Sequence, residues 1–242
     1  QGKIRGLRAM MRQIVSAACG AWFLVAGQAG AQVPQGVVVE LYTSQGCSSC
    51  PPADALLREL AGQPGVIPLA LHVDYWDYIG WEDRFADPAF TARQKAYAKN
   101  VHERMVYTPQ MIVGGKDRVG GNEPRAVAQA VAAKAGVVSP VRIFIDRQGE
   151  VAVIRVESDA ALGRSFVQLV RYEPGTEVAI ERGENAGLTV NYSNIVTSWQ
   201  RLADWPGGEP LQIKADVPGD QPMVVIVQRE GPAEILAAAV VK

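Results

Sequence analysis

The sequence predicts an α/β domain followed by an all-β, sandwich-like domain. Three observations carry that prediction. Strand-like and helix-like segments alternate from residue 37 to residue 135, the alternation stops after Gly136, and from there short apolar runs recur between Gly- and Pro-rich turns. A chain of 242 residues suits two domains of modest size, and 48% hydrophobic against 20% charged residues is enough apolar material for packed cores.

The first half reads element by element. Gly36 precedes Val37-Val38-Val39-Glu40-Leu41-Tyr42, a continuous apolar and β-branched run that predicts a buried central strand. Residues 53–61 place Leu56, Leu57 and Leu60 at helical spacing, with Gly62 beside the C-terminal end. Residues 66–73 form a second strand between Gly65 and Asp74. Residues 88–104 carry Phe90, Arg93, Tyr97 and Val101 through a second helix, with Asp87 placed to cap it. Met111-Ile112-Val113 is a third strand, the Gly114-Gly115 turn leads to a short fourth around Val119, and residues 124–135 form a third helix. This order predicts a largely parallel sheet whose first two strands are joined by a right-handed crossover.

After Gly136 no helix is expected. Residues 141–145 and 151–156 flank Asp146-Arg147-Gln148-Gly149, a hairpin signal. Further strand-like runs cover 165–172, 178–181, 188–192, 211–215, 223–228 and 235–240, separated by turns such as Glu173-Pro174-Gly175 and Val217-Pro218-Gly219-Asp220. The expected organisation is therefore one domain over residues 36–137 and a β-sandwich-like domain over residues 140–242.

The N-terminus carries a different signal. Lys3, Arg5, Arg8 and Arg12 lead into an apolar stretch at residues 14–25, and Ala29-Gly30-Ala31 supplies the small-x-small pattern of a signal peptidase site. Residues 1–31 thus read as a signal peptide, with a periplasmic or secreted product free of the membrane after cleavage. An uncleaved anchor and lipidation at Cys19 are the alternatives. Net charge is -1 with no basic stripe, which argues against a nucleic-acid partner.

Of the three cysteines, only Cys47 and Cys50 lie beyond that segment. In an oxidising compartment they can pair, yet a bridge around so small a loop removes little unfolded-state entropy and makes a poor staple. Placed after a strand and at the head of a helix, the same Cys-x-x-Cys has a chemical logic. The helix dipole and free N–H groups favour a thiolate, so Cys47 at an exposed tip would be the nucleophile and Cys50 the resolving thiol. Pro51 and Pro52 fit the first helical turn. Pro109, before the third strand, is expected in the cis form against the disulfide, with the backbone at Thr108 available to an extended substrate. Glu40, in a strand covered on both faces, is expected to have a raised pKa and to accept the proton of Cys50; the alternative is a strand-end carboxylate in contact with water. In Asp74-Tyr75-Trp76-Asp77-Tyr78-Ile79-Gly80-Trp81 the aromatics, Tyr75 and Trp76 first, either bind an apolar or unfolded substrate or seal the edge of the core. His72 and His102 add too little to two sulfurs for a closed structural zinc site, so no metal and no cofactor are expected.

The stretches ELYTSQGCSSCPPADALL, HVDYWDYIGW, RQKAYA and VYTPQMIVGG, with ERGENAG and NYSNIV further on, resemble the secreted thioredoxin-like family catalogued as domain of unknown function 1223. The resemblance implies a thioredoxin-like fold for the first domain and an envelope or secreted setting. By wider analogy it places Cys47, Cys50 and Pro109 at nucleophile, resolving and cis-proline positions, with Glu40 near the buried acid. Gly46 and Ser48-Ser49 depart from the thioredoxin pattern of an aromatic before the first cysteine and Gly-Pro between the pair. The expected function is exchange of disulfides with protein or small-molecule thiols and disulfides. A binding module with an inert disulfide, or a copper or zinc carrier, are the alternatives.

Overall fold

The computed structural model describes residues 33–242, and the expected signal segment, with Cys19, lies outside the described residues. The chain forms β1 (Val37–Thr43), α1 (Pro51–Ala61), β2 (Val66–His72), a 3-10 turn (Asp77–Ile79), α2 (Pro88–Asn100), β3 (Gln110–Val113), β4 (Asp117–Gly120) and α3 (Pro124–Ala135). Strands follow without a further helix: β5 (Arg142–Gln148), β6 (Val151–Glu157), β7 (Ser165–Ala179), β8 (Thr189–Asp204), β9 (Leu211–Asp216), β10 (Met223–Arg229) and β11 (Ile235–Val241).

The predicted fold class is overturned. The molecule is mostly β, and one eight-stranded mixed sheet, in the order β11-β10-β7-β8-β2-β1-β3-β4, draws strands from both halves of the chain. It is neither a small thioredoxin-like α/β domain nor such a domain followed by a separate sandwich. The physical reason lies at the free edge of β2, which β8 covers in parallel at Ala70↔Ile195, while the Asn194 side-chain amide donates to the Pro68 carbonyl at 2.8 Å. The sheet is also less parallel than expected. β1 pairs in parallel with β2 but antiparallel with β3, and β7, β8, β10 and β11 are antiparallel to their neighbours within the second half.

The β5-β6-β9 sheet packs on the far end of the large one. Ile143 and Ile154 meet Val167, Leu169, Val225 and Val227 there in a single apolar cluster. β7 runs straight through Glu173-Pro174-Gly175, where a turn was expected. Its ladder with β10 ends at Arg171, so the missing N–H of Pro174 faces no second strand.

Around β1 the pleat sorts side chains onto two faces. Val39 and Leu41 pack with Leu57 and Leu60 of α1 and Val127 and Val131 of α3. Val38 and Tyr42 pack on the other face with Phe90 and Tyr97 of α2. Asp87 caps α2 by accepting the Ala89 amide at 2.8 Å. This sorting decides which acids can reach the cysteines.

Candidate active site

The Cys-Ser-Ser-Cys turn follows the end of β1. The Ser44 carbonyl accepts the Cys47 amide at 3.2 Å, the Cys47 carbonyl accepts the Cys50 amide at 3.1 Å, and α1 begins with Cys50 as its N-cap. Cys47 and Cys50 are joined by a disulfide. Cys47 does not stand at an exposed tip: it is 1% exposed and Cys50 0%. Segments from three other parts of the chain cover the turn. The Asn185 side chain, from the β7–β8 connection, donates to the carbonyls of Gln45 and Cys47 at 2.8 and 3.0 Å. Trp81 donates its indole N–H to the Gln45 side chain at 2.7 Å, and Asn122 donates to the Ser49 carbonyl at 2.9 Å. Gly46 has to be small, because a Cβ there would stand 3.2 Å from that of Trp76.

The helix end offers a sulfur less than the sequence promised. Pro51 and Pro52 carry no N–H, and the next two amides, of Ala53 and Asp54, both donate to the Cys50 carbonyl at 2.9 and 3.1 Å. The polar group that does reach a cysteine sulfur is the Ser49 hydroxyl, 3.5 Å from Cys47 Sγ. A thiolate at Cys47 would rest on that hydroxyl and on the helix dipole.

The Thr108–Pro109 bond is cis. Pro109 meets α1 through Gly121, whose amide donates to the Pro109 carbonyl at 2.9 Å; a Cβ on Gly121 would lie 2.7 Å from that of Pro109 and 3.0 Å from that of Ala53. The Thr108 hydroxyl accepts the Trp76 indole N–H at 2.7 Å, which ties the aromatic loop to the same corner. Tyr75 lies beside the same corner: its hydroxyl donates to Gln94 of α2 at 3.1 Å, near Thr108, and its ring packs on the α2 face. Tyr78 is the exposed aromatic of this loop, at 82%.

Glu40 is not brought to Cys50. It is fully buried on the α2 face of β1, where Arg93 donates to both of its oxygens at 2.8 and 2.9 Å and the hydroxyls of Tyr42 and Tyr97 donate at 2.9 and 2.7 Å. Arg93 also stacks 3.7 Å over Trp199 and donates to Gln228 at 3.0 Å. A carboxylate so fully paired ties α2 to both halves of the sheet. It lies across the sheet from α1.

The buried acid on the cysteine side is Asp54. Its amide bond to the Cys50 carbonyl places the two residues one helical turn apart on the same face. Asp54 is 2% exposed, and neither carboxyl oxygen makes a hydrogen bond of ordinary geometry; burial pushes its carboxyl up to about 7, opposed by the charge of His72 and the nearby Thr43 hydroxyl and reinforced by Asp83. Thr43 and His72 are cross-strand partners on β1 and β2, and the Thr43 hydroxyl and His72 Nε2 are likewise buried without partners. His72 Nδ1 lies 2.6 Å from Asp83 Oδ2, and Asp83 also accepts the amides of Gln45 and Phe85 at 2.8 and 2.9 Å. Burial alone would raise Asp83, but the His72 charge and these bonds outweigh it and hold the carboxyl below the usual range. The Tyr192 ring stands edge-on to His72 at 5.0 Å, its phenol raised by burial and by Asp54 and Asp83.

Sequence reasoning missed Asp54, Asp83, Ser49 and Asn185. Asp54 had left a signal: it precedes Leu57 by three positions, a carboxylate in the apolar stripe of α1. Asn185 left none, since only the fold brings its turn to Cys47.

The family described as "Protein of unknown function (DUF1223)" matches residues 38–228. A crystal structure of protein AGR_C_4864 from Agrobacterium tumefaciens is similar, with 31% identity, a TM-score of 0.73, and coverage of 87% of this chain and 95% of that one. HBP35 of Porphyromonas gingivalis shares the fold at a TM-score of 0.63 and 14% identity, over 88% of this chain and 76% of its own. No curated protein matches.

Proposed function

The chain belongs to the DUF1223 family, and we propose that it is an exported thiol–disulfide oxidoreductase acting through Cys47 and Cys50. The observation that carries this reading is the setting of the disulfide. A bridge that only stapled a turn has no use for an acid beside it, whereas Cys50 stands one turn from a buried carboxyl whose pKa lies near neutrality. Such groups are expensive to bury and gather where protons move during a reaction.

In this reading the Cys47 thiolate attacks a client disulfide and Cys50 resolves the mixed disulfide. The clients are protein or small-molecule thiols and disulfides, and the corner formed by Thr108, Pro109 and Trp76 receives them. Export rests on the basic, apolar and small-x-small sequence of residues 1–31. Equilibration of the Cys47–Cys50 pair against glutathione tests the reading. A measurable potential, with Cys50→Ser trapping mixed disulfides and Cys47→Ser trapping none, is the expected result.

The burial of both sulfurs favours a second reading, a binding module with an inert disulfide. That reading requires that neither variant traps a client and that glutathione leaves the bridge intact. Either finding would displace the exchange reading.

A further inference from the structure

Asp54, Thr43 and His72 meet on the α1 face of the sheet, where His72 is held through Nδ1 by Asp83. Asp54 comes from α1, Thr43 from β1 and His72 from β2, and four of their side-chain polar atoms are buried without partners. Buried polar atoms are nearly always hydrogen-bonded, so a concentration of exceptions needs a cause beyond packing. The groups facing Asp54 are few: the Thr43 hydroxyl, the His72 imidazole with Asp83 behind it, and the Tyr192 phenol from β8. His72 is fixed in orientation, because Nδ1 is held by Asp83 and Nε2 is the ring nitrogen left over.

We propose that Asp54 is the proton acceptor of Cys50, with the His72–Asp83 pair as its positioning partner. This rests on the exchange reading and deepens it. In the direction that reduces a client and oxidises the protein, the Cys47 thiolate attacks a client disulfide R–S–S–R′. A bond forms between Cys47 Sγ and the sulfur of R, and R′S⁻ leaves and takes a proton from solvent. The Cys50 thiol then passes its proton to Asp54, and its sulfur attacks Cys47 Sγ. The Cys47–Cys50 bond forms, RS⁻ leaves, and Asp54 releases the proton. The client gains two electrons and two protons, and the protein dithiol loses both. Oxidation of a client dithiol by the Cys47–Cys50 disulfide runs the same steps backwards.

Asp54 can do this because one helical turn separates it from Cys50, about 5 to 6 Å between Cβ atoms. Glu40 cannot, being on the opposite face and already holding Arg93, Tyr42 and Tyr97. The His72 charge opposes burial and keeps Asp54 from climbing further, so that its carboxylate is available to accept, while Asp83 pushes the other way and acts here by holding His72 in place.

The test follows the closing of the mixed disulfide formed by reduced protein and oxidised glutathione, by acid quench and mass spectrometry, from about pH 5.5 to 9. The wild-type closing rate is expected to inflect near 7. Asp54→Asn is expected to close about 10- to 100-fold more slowly at pH 7 and to inflect near the ordinary thiol value of about 8.5, with Asp54→Glu recovering the rate. His72→Gln is expected to move the inflection to higher pH, since the charge opposing burial is lost; an unmoved inflection removes His72 from the proposal. An Asp54→Asn profile equal to wild type overturns it.

If the wild-type protein forms no mixed disulfide, the exchange reading falls, and infrared titration of the Asp54 carboxyl in the oxidised and reduced proteins decides the proposal by itself. A midpoint that moves on reduction shows the proton coupled to Cys50. The same midpoint in both states overturns it.

Discussion

Asn185 donates its side-chain amide to the carbonyl of Cys47 at 3.0 Å across 138 residues of sequence. It makes a second bond to the Gln45 carbonyl and is itself 3% exposed. The turn that carries it joins β7 to β8, the two longest strands, so the second half of the chain helps to cover the disulfide made by the first. Gly183 of the same turn packs on Trp81, whose indole holds the Gln45 side chain. Access to Cys47 is therefore governed by a contact between the two halves.

Asn185→Ala removes both donors: the Cys47 carbonyl keeps the Cys50 amide, but the Gln45 carbonyl loses its side-chain partner, a penalty of about 1 to 3 kcal/mol for a buried group left unsatisfied. The turn then lifts more readily. Dithiothreitol should reduce the oxidised variant at least about tenfold faster than wild type, the equivalent of 1.4 kcal/mol in opening. Equal rates would mean that Cys47 is reached from another side.

Ser49→Ala isolates the one hydroxyl at the Cys47 sulfur. At 3.5 Å from a largely exposed residue the bond is weak, so its loss should make the Cys47 thiolate only slightly harder to form. The effect is read as iodoacetamide alkylation of the reduced protein against pH. With the first two helical N–H groups absent and the next two occupied, no backbone donor stands ready to replace the hydroxyl. An unchanged profile would place the stabilisation wholly in the helix dipole.

Glu40→Gln separates fold from chemistry. The change leaves the buried Arg93 guanidinium facing a neutral amide, and breaking such a pair costs about 3 to 5 kcal/mol. Urea denaturation should show that loss while the reduction potential of the disulfide stays at the wild-type value. A shifted potential with intact stability would return Glu40 to the neighbourhood of Cys50.

The elements of the first half were legible because each is written locally: β1 in an apolar run, α1 in leucine spacing and paired prolines, α2 in Asp87. The union of the halves was not legible. It depends on Ala70 meeting Ile195, a pairing that no local pattern announces. β8 was expected only at 188–192, because the continuation through Trp199-Gln200-Arg201-Leu202 alternates too poorly to read as a strand. It holds as one through its pairing with β7. In the site, Cys47, Cys50 and Pro109 were legible through motif and position. Asp54 was hidden because a helical acid near an N-terminus ordinarily reads as dipole compensation, and its burial comes from β1, β2 and β8 closing over it.

The join at residues 137–140 tests whether the halves are separable units. Val137 and Val138 are exposed, at 68% and 91%, and follow the end of α3. Limited proteolysis should cut there first, as it does in exposed connecting segments. Because β2 and β8 share a sheet, the two fragments should co-elute in size-exclusion chromatography and part only in denaturant. Early cuts inside β1 or β5 would count against a boundary at this place.

The pH dependence of stability supplies the last test, and its direction is fixed by Asp54. The folded carboxyl titrates near 7 and the unfolded one near its ordinary 3.8, so the folded state binds the proton more tightly. Below about pH 4 both states are protonated and the group contributes nothing. Between about 4 and 7 the unfolded chain ionises while the folded one does not, and stability falls as pH rises. Above 7 the folded protein carries the full difference, about three pKa units or on the order of 4 kcal/mol. Asp83 acts oppositely and elsewhere: its lowered pKa contributes stability that is lost only as pH falls below about 4. Urea unfolding of oxidised wild type should therefore show lower stability at pH 8 than at pH 5. In Asp54→Asn the part of that fall due to the carboxyl should vanish, leaving the variant more stable than wild type at pH 8. An identical fall in both proteins would mean that the Asp54 carboxyl is paired or hydrated, and it would remove the physical basis for a proton acceptor behind Cys50.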